Sequence, residues 1–180
     1  MAILHRATVT PSKRELVEAW LDQQPWGGAG ELETTGSYRL DDPEGEVGVE
    51  ALLVRRAGRL LHVPMTYRGA PLGGAKAHLM GTMHHSVLGS RWVYEAIADP
   101  VAVGCFTRAL AGEQDQAALE VYDGEELVAR REPDVRVRRQ SGSAPTAGDL
   151  RLAQVLGEEL DGVERLVATW SDGEAVVAVR

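Results

Sequence analysis

Apolar and polar positions alternate along most of this chain, and two stretches change to helical spacing. Residues 3–8 alternate weakly and predict a first strand. Leu16, Val17, Ala19, Trp20 and Leu21 then form the apolar stripe of an amphipathic helix over 12–22. Ser12 and Glu15 have the spacing of a capping box, and Pro11 suits a first helical turn. Pro25 with Gly27, Gly28 and Gly30 ends the helix. The period of two returns over 32–41, 47–56 and 60–68, which predict successive strands. Asp42-Pro43-Glu44-Gly45 reads as the first turn between them, and Arg56-Ala57-Gly58 as a tight second one. Beyond a Gly-rich loop at 69–74, residues 77–87 and 91–95 predict two strands hinged at Gly89.

Asp99-Pro100 supplies an N-cap and first residue for a second helix, running to about residue 111. Its inner face would carry Val101, Cys105, Ala109 and Leu110. Residues 119–122 and 126–138 flank Asp123-Gly124, a hairpin signal. Residues 150–156, 163–170 and 175–179 predict the last three strands. The expected class is α+β: a mostly antiparallel sheet, both helices packed on one of its faces, and C-terminal strands added. The expected organisation is a domain over 1–140, a flexible Ser/Gly/Pro/Thr-rich linker at 141–148, and strands at 149–180 packed on the same domain.

With 180 residues the chain is long enough to bury a core of its own. Nothing in it approaches the ~20 apolar residues of a membrane span, and the first ten residues lack the apolar core of a signal peptide. A cytoplasmic location is the expectation, with no membrane partner. The net charge of −8 argues against general nucleic-acid binding, which needs clustered cations. The one basic cluster, Arg130, Arg131, Arg136, Arg138 and Arg139, includes a Val-Arg-Val-Arg alternation that predicts a strand with arginines in solvent.

Candidate chemistry is sparse. Cys105 is the chain's single cysteine, so it cannot form an intrachain disulfide, and it is expected to be a buried small hydrophobe. The histidines at 62, 78, 84 and 85 could be proposed as metal ligands, but His84 and His85 point to opposite faces of a strand. No metal site, catalytic residue or cofactor is expected. The Gly69–Gly74 loop lacks the Gly-Lys-Ser/Thr that closes a phosphate-binding loop, and no kinase catalytic loop is present. Glu46 and Glu50, four apart, could serve as an acid–base pair; cross-strand ion pairs to Arg39 and Arg68 explain them more simply. Trp26, Trp92, Tyr67 and Tyr94 are either core or a sugar-stacking platform.

Several blocks resemble one family. Thr10-Pro11-Ser12-Lys13, Ala19-Trp20-Leu21 and Pro25-Trp26 match an opening helix and its exit; Asp42-Pro43 with Gly45 to Glu50 matches a first hairpin. Val63 to Arg68 and Ala70-Pro71-Leu72 match a central strand and loop. His85-Ser86-Val87-Leu88-Gly89, Arg91-Trp92-Val93-Tyr94 and Asp99-Pro100 are the most specific part. Together they resemble the N-terminal cap-like domains of maltokinases and glucosamine kinases from actinobacteria, over most of residues 1–140. His84 stands where that family often has an acid, and Glu95 where it often has aspartate. The resemblance implies a cystatin-like cap without kinase lobes. It also implies a non-catalytic interaction or regulatory role in maltose, trehalose or glycogen metabolism, beside a sugar-kinase-like partner or as a homodimer. The alternative is a protein binding a sugar or sugar phosphate, or acting on it, in a cleft around His85, Arg91 and Trp92. On either view the candidate ligand or partner surface is Arg68, His85, Arg91, Trp92 and Tyr94.

Overall fold

The computed structural model describes residues 2–5, 8–123, 126–141 and 148–180. In chain order it contains β1 (Ala2–His5), β2 (Val9–Thr10), α1 (Lys13–Leu21), β3 (Glu33–Leu40), β4 (Gly48–Arg56), β5 (Arg59–Arg68), β6 (Leu79–His85) and β7 (Gly89–Glu95). There follow α2 (Pro100–Ala111), β8 (Leu119–Asp123), β9 (Glu126–Arg131), β10 (Arg136–Ser141), β11 (Arg151–Leu152), β12 (Glu164–Trp170) and β13 (Gly173–Val179). Short 3₁₀ turns sit at Lys76–His78 and Ala96–Ala98.

The class is α+β. The central sheet has six antiparallel strands in the order β2-β6-β7-β5-β4-β3. A second sheet runs β10-β12-β13-β11, and a third β1-β8-β9. In the third, β1 lies parallel to β8, an exception to the antiparallel pattern that local alternation cannot encode.

The two helices do not share a face, contrary to the sequence expectation. Val49, Ala51 and Leu53 of β4 join a core with Phe106 and Leu110 of α2. Leu52 and Val54, between them in sequence, join a separate core with Leu16, Val17 and Leu21 of α1. Alternate residues of a strand point to opposite sides, so α1 and α2 lie on opposite faces of the central sheet. β4 is therefore buried on both faces, which is why Ala51 to Val54 form an unbroken apolar run rather than an alternation. The second sheet closes over α2 through Leu166 and Ala168 of β12 and Val177 and Ala178 of β13.

Local signals set the helix ends as expected, with one change. Ser12 Oγ accepts from Glu15 N, and Ser12 N donates to Glu15 Oε2 at 2.8 Å, a complete capping box. Pro11 precedes the N-cap rather than occupying the first turn. Asp99 caps α2 by accepting from Val101 N at 3.0 Å, and Gly112 ends it in the left-handed conformation.

Three strand expectations change. The strand at 77–87 begins only at Leu79, because 76–78 form a 3₁₀ turn. The strand at 126–138 is two strands in different sheets, interrupted at 132–135 around Pro133, which has no N–H for a ladder. The strand at 150–156 is reduced to β11, after which the chain crosses to the edge of β5. There His62 N donates to Gln154 O and Leu156 N to Leu60 O, at 2.9 and 2.8 Å. The Asp123-Gly124 turn and the linker expected at 141–148 fall largely on residues outside those described.

Candidate functional site

Two buried charge networks organise the central sheet. Glu50, on the α1 face of β4, accepts from Lys13 Nζ at 2.6 Å, Tyr67 Oη at 2.8 Å and Arg39 at 3.3 Å. Lys13 also lies 5.4 Å from the centre of the Tyr67 ring, a cation–π contact. Burial alone would push the Glu50 carboxyl up; the charges of Arg39 and Lys13 and the hydrogen bonds outweigh it and hold it at about 2. Glu50 is thus ionised and ties the first turn of α1 to the sheet. Arg39 is the partner expected from the sequence. Glu46 and Arg68 are not: Glu46 lies in the turn region, where its N–H donates to Asp42, and Arg68 has another partner.

That partner is Asp99, fully buried and on the opposite face. Arg68 holds it with two hydrogen bonds of 2.7 Å, through Nε and one terminal nitrogen, and Thr66 Oγ1 donates at 2.8 Å. Burial pushes the Asp99 carboxyl up, but the Arg68, Thr66 and Val101 donors prevail and hold it below the ordinary range. One carboxylate therefore caps α2 and ties it to β5.

The register shows where the five candidate residues stand. Arg68 pairs with Trp92 and Thr66 with Tyr94, placing Arg68, Trp92 and Tyr94 on the α2 face. Met83 pairs with Arg91 and His85 with Gly89; since Met83 belongs to the α1 core, Arg91 and His85 lie on the α1 face. The five residues do not line one cleft. Tyr94 Oη accepts from Leu72 N at 3.0 Å and pins the Gly-rich loop. Arg91 lies so close to Gly69 that a Cβ there would come within 2.7 Å of its guanidinium. His85 Nδ1 accepts from Val87 N and Leu88 N at 3.2 and 3.1 Å, closing the hairpin between β6 and β7. Ser86 exchanges hydrogen bonds with Thr8, tying the hairpin to the chain before β2. This bracing leaves two apolar side chains in solvent at the tip, Val87 at 58% and Leu88 at 46% exposure.

Two other expectations can be placed. Arg136 and Arg138 are solvent-facing, pairing with Glu132 and Glu174, while Val135 is buried. Cys105 is buried, and burial raises its thiol. His62, weighed in the sequence only as a possible metal ligand, is fully buried on the α2 face. Its Nδ1 lies 2.9 Å from Ala153 O, so it carries the proton there; its Nε2 then accepts from Tyr38 Oη at 2.8 Å. Burial lowers its pKa to about 4. The only signal for this contact, a histidine within an apolar strand, gives no hint of its partner 91 residues away.

Fold and contacts define an α+β module in which apolar cores pack the helices on the central sheet and buried charge pairs tie them to it. The family model of the maltokinase N-terminal cap domain matches residues 20–99, from the end of α1 through β3 to β7 and up to the Asp99 cap of α2. The resemblance read from the sequence is borne out over that span. No curated protein matches the chain.

Proposed function

We propose that this protein is a cap-like interaction module that docks on a sugar-kinase-like catalytic body and does not itself transfer phosphate. The match of residues 20–99 to the maltokinase N-terminal cap domain carries this reading. The internal contacts support it: Glu50 and Asp99 are both ionised and closed into pairs that hold helices. The surface it would present is the tip of the β6–β7 hairpin, held in place by His85 and Ser86 with Val87 and Leu88 outward. Residues 1–140 would form the cap, cystatin-like in laying α1 across a sheet, and residues 149–180 would complete its second layer. It would work in the cytoplasm, in sugar metabolism, and the net charge of −8 favours a protein partner over nucleic acid.

The test is direct. The purified protein, incubated with ATP and either maltose or glucosamine, is expected to form no phosphorylated sugar by mass spectrometry. Formation of either product would overturn the proposal.

A further inference from the structure

Pro64 interrupts one edge of β5. On one side of it β7 pairs with Met65 to Arg68, and on the other the segment at 154–156 takes Leu60 and His62. Pro64 itself has no N–H to offer a neighbouring strand. A cleft of about 340 Å³ opens there, lined by Pro64, the end of β7 and residues 150–154. This volume is at the small end of the range for ligand pockets, roughly 300–1,000 Å³. The walls are apolar: Trp26, Pro64, Ile97, Leu150, Leu152 and Leu160. Trp20 is a buried core side chain that buttresses Trp26 edge-to-face. His62 also lines the cleft, but both its ring nitrogens are engaged, so it offers a ligand no hydrogen bond. Ile97, just beyond β7, is 44% exposed, and covering it would be favourable.

Two opposite charges stand on this apolar cleft without neutralising each other: Glu95 and Arg151. His78 Nδ1 lies 3.2 Å from one Glu95 oxygen, and the other oxygen has no hydrogen bond among the described residues. Arg151 gives one terminal nitrogen to Asp161 O and keeps its remaining donors. Among the described residues no ion pair joins Arg151 to Glu95 or to another carboxylate.

This arrangement selects the charge of a ligand. A purely apolar molecule would strip water from both charges and return no hydrogen bond. An apolar acid would be repelled by Glu95, and an apolar amine by Arg151. A zwitterion with an apolar body meets every part of the lining: its ammonium donates to the free Glu95 oxygen, its carboxylate accepts from Arg151, and its body covers Ile97 and Trp26. We propose that this cleft binds a free α-amino acid with an apolar side chain, of the size of leucine or phenylalanine. The inference is independent of the docking proposal, since neither Val87 nor Leu88 lines the cleft.

Isothermal titration of the whole protein tests it, with leucine, phenylalanine, phenylpropionate (which lacks the ammonium) and phenylethylamine (which lacks the carboxylate). Saturable one-site binding of leucine or phenylalanine is expected, with both analogues weaker by about tenfold or more. Arg151→Gln should weaken the amino acid by a similar factor without weakening phenylethylamine. Glu95→Gln should do the same without weakening phenylpropionate. Both side chains reach solvent, so the two variants keep the core intact. Failure of both amino acids to bind, analogues that bind as tightly as phenylalanine, or undiminished binding by either variant would overturn it. None of these results bears on whether a kinase-like protein docks at the hairpin.

Discussion

Glu50 and His62 show how single residues couple this fold to acid. Glu50 titrates in the folded protein at about 2 against an ordinary 4.5. Its contribution to stability is complete above the ordinary value and is lost as pH falls from there towards 2. His62, lowered from 6.5 to about 4, has the same sign, because the unfolded chain takes up its proton first. Its contribution is complete above 6.5 and is lost on descending to about 4. Melting temperature followed against pH is therefore expected to fall in two overlapping windows. His62→Gln should flatten the upper one and leave the lower. Glu50→Gln should flatten the lower one and, by stranding Lys13 and Arg39, cost about 3–5 kcal/mol at neutral pH. An unchanged upper slope in His62→Gln would contradict the assignment. The Glu50–Arg39 pair was legible in the sequence because the Asp42–Gly45 turn sets their two strands side by side. Lys13 and Tyr67 were not, because only tertiary packing brings Lys13 of α1 over that face and aims the Tyr67 hydroxyl of β5 at Glu50.

At the scale of elements, turn chemistry and capping were the most legible features. In the Ser12–Glu15 box, the Asp99 cap and the Asp42–Gly45 turn, where Gly45 N donates to Asp42 O at 3.0 Å, donor and acceptor stand at most three residues apart. The positions of the helices were not legible, since a strand buried on both faces, as β4 is, loses the alternation that would tell one side from the other. Pro133 and Pro64 were undervalued: one divides a strand between two sheets, the other opens a gap along β5. The β4–β5 turn suggests a stabilising change. Ala57 has φ of 51° and Gly58 has φ of 74°, the two-residue turn in which asparagine precedes glycine most readily. Ala57→Asn should relieve left-handed strain and raise stability by about 0.5–1 kcal/mol, read as a shift in denaturant midpoint at constant slope.

On the scale of the whole molecule, polar contacts tie the C-terminal segments to one another and to the central sheet. Ala153 accepts from a histidine in β5, and Arg180 reaches Glu164 at 2.7 Å while Arg139 approaches the same carboxylate. These links were invisible to a sequence pattern, which showed alternation in the last strands but not the surface they cover. The family resemblance was legible because its blocks are short and ordered along the chain. The ligand or partner surface assembled from them was not, because neighbours in sequence such as Arg91 and Trp92 are sent to opposite faces of the sheet. What remains outward from the most specific block is the hairpin tip, and the docking proposal rests on it. The measurement that tests this most directly is affinity purification of the tagged protein from its native host, quantified by mass spectrometry, beside a variant carrying Val87→Ser and Leu88→Ser. The account expects a sugar-kinase-like protein in near-equal amount with the unaltered chain and its loss with the variant. Recovery of the chain alone, or a partner retained undiminished by the variant, would contradict it.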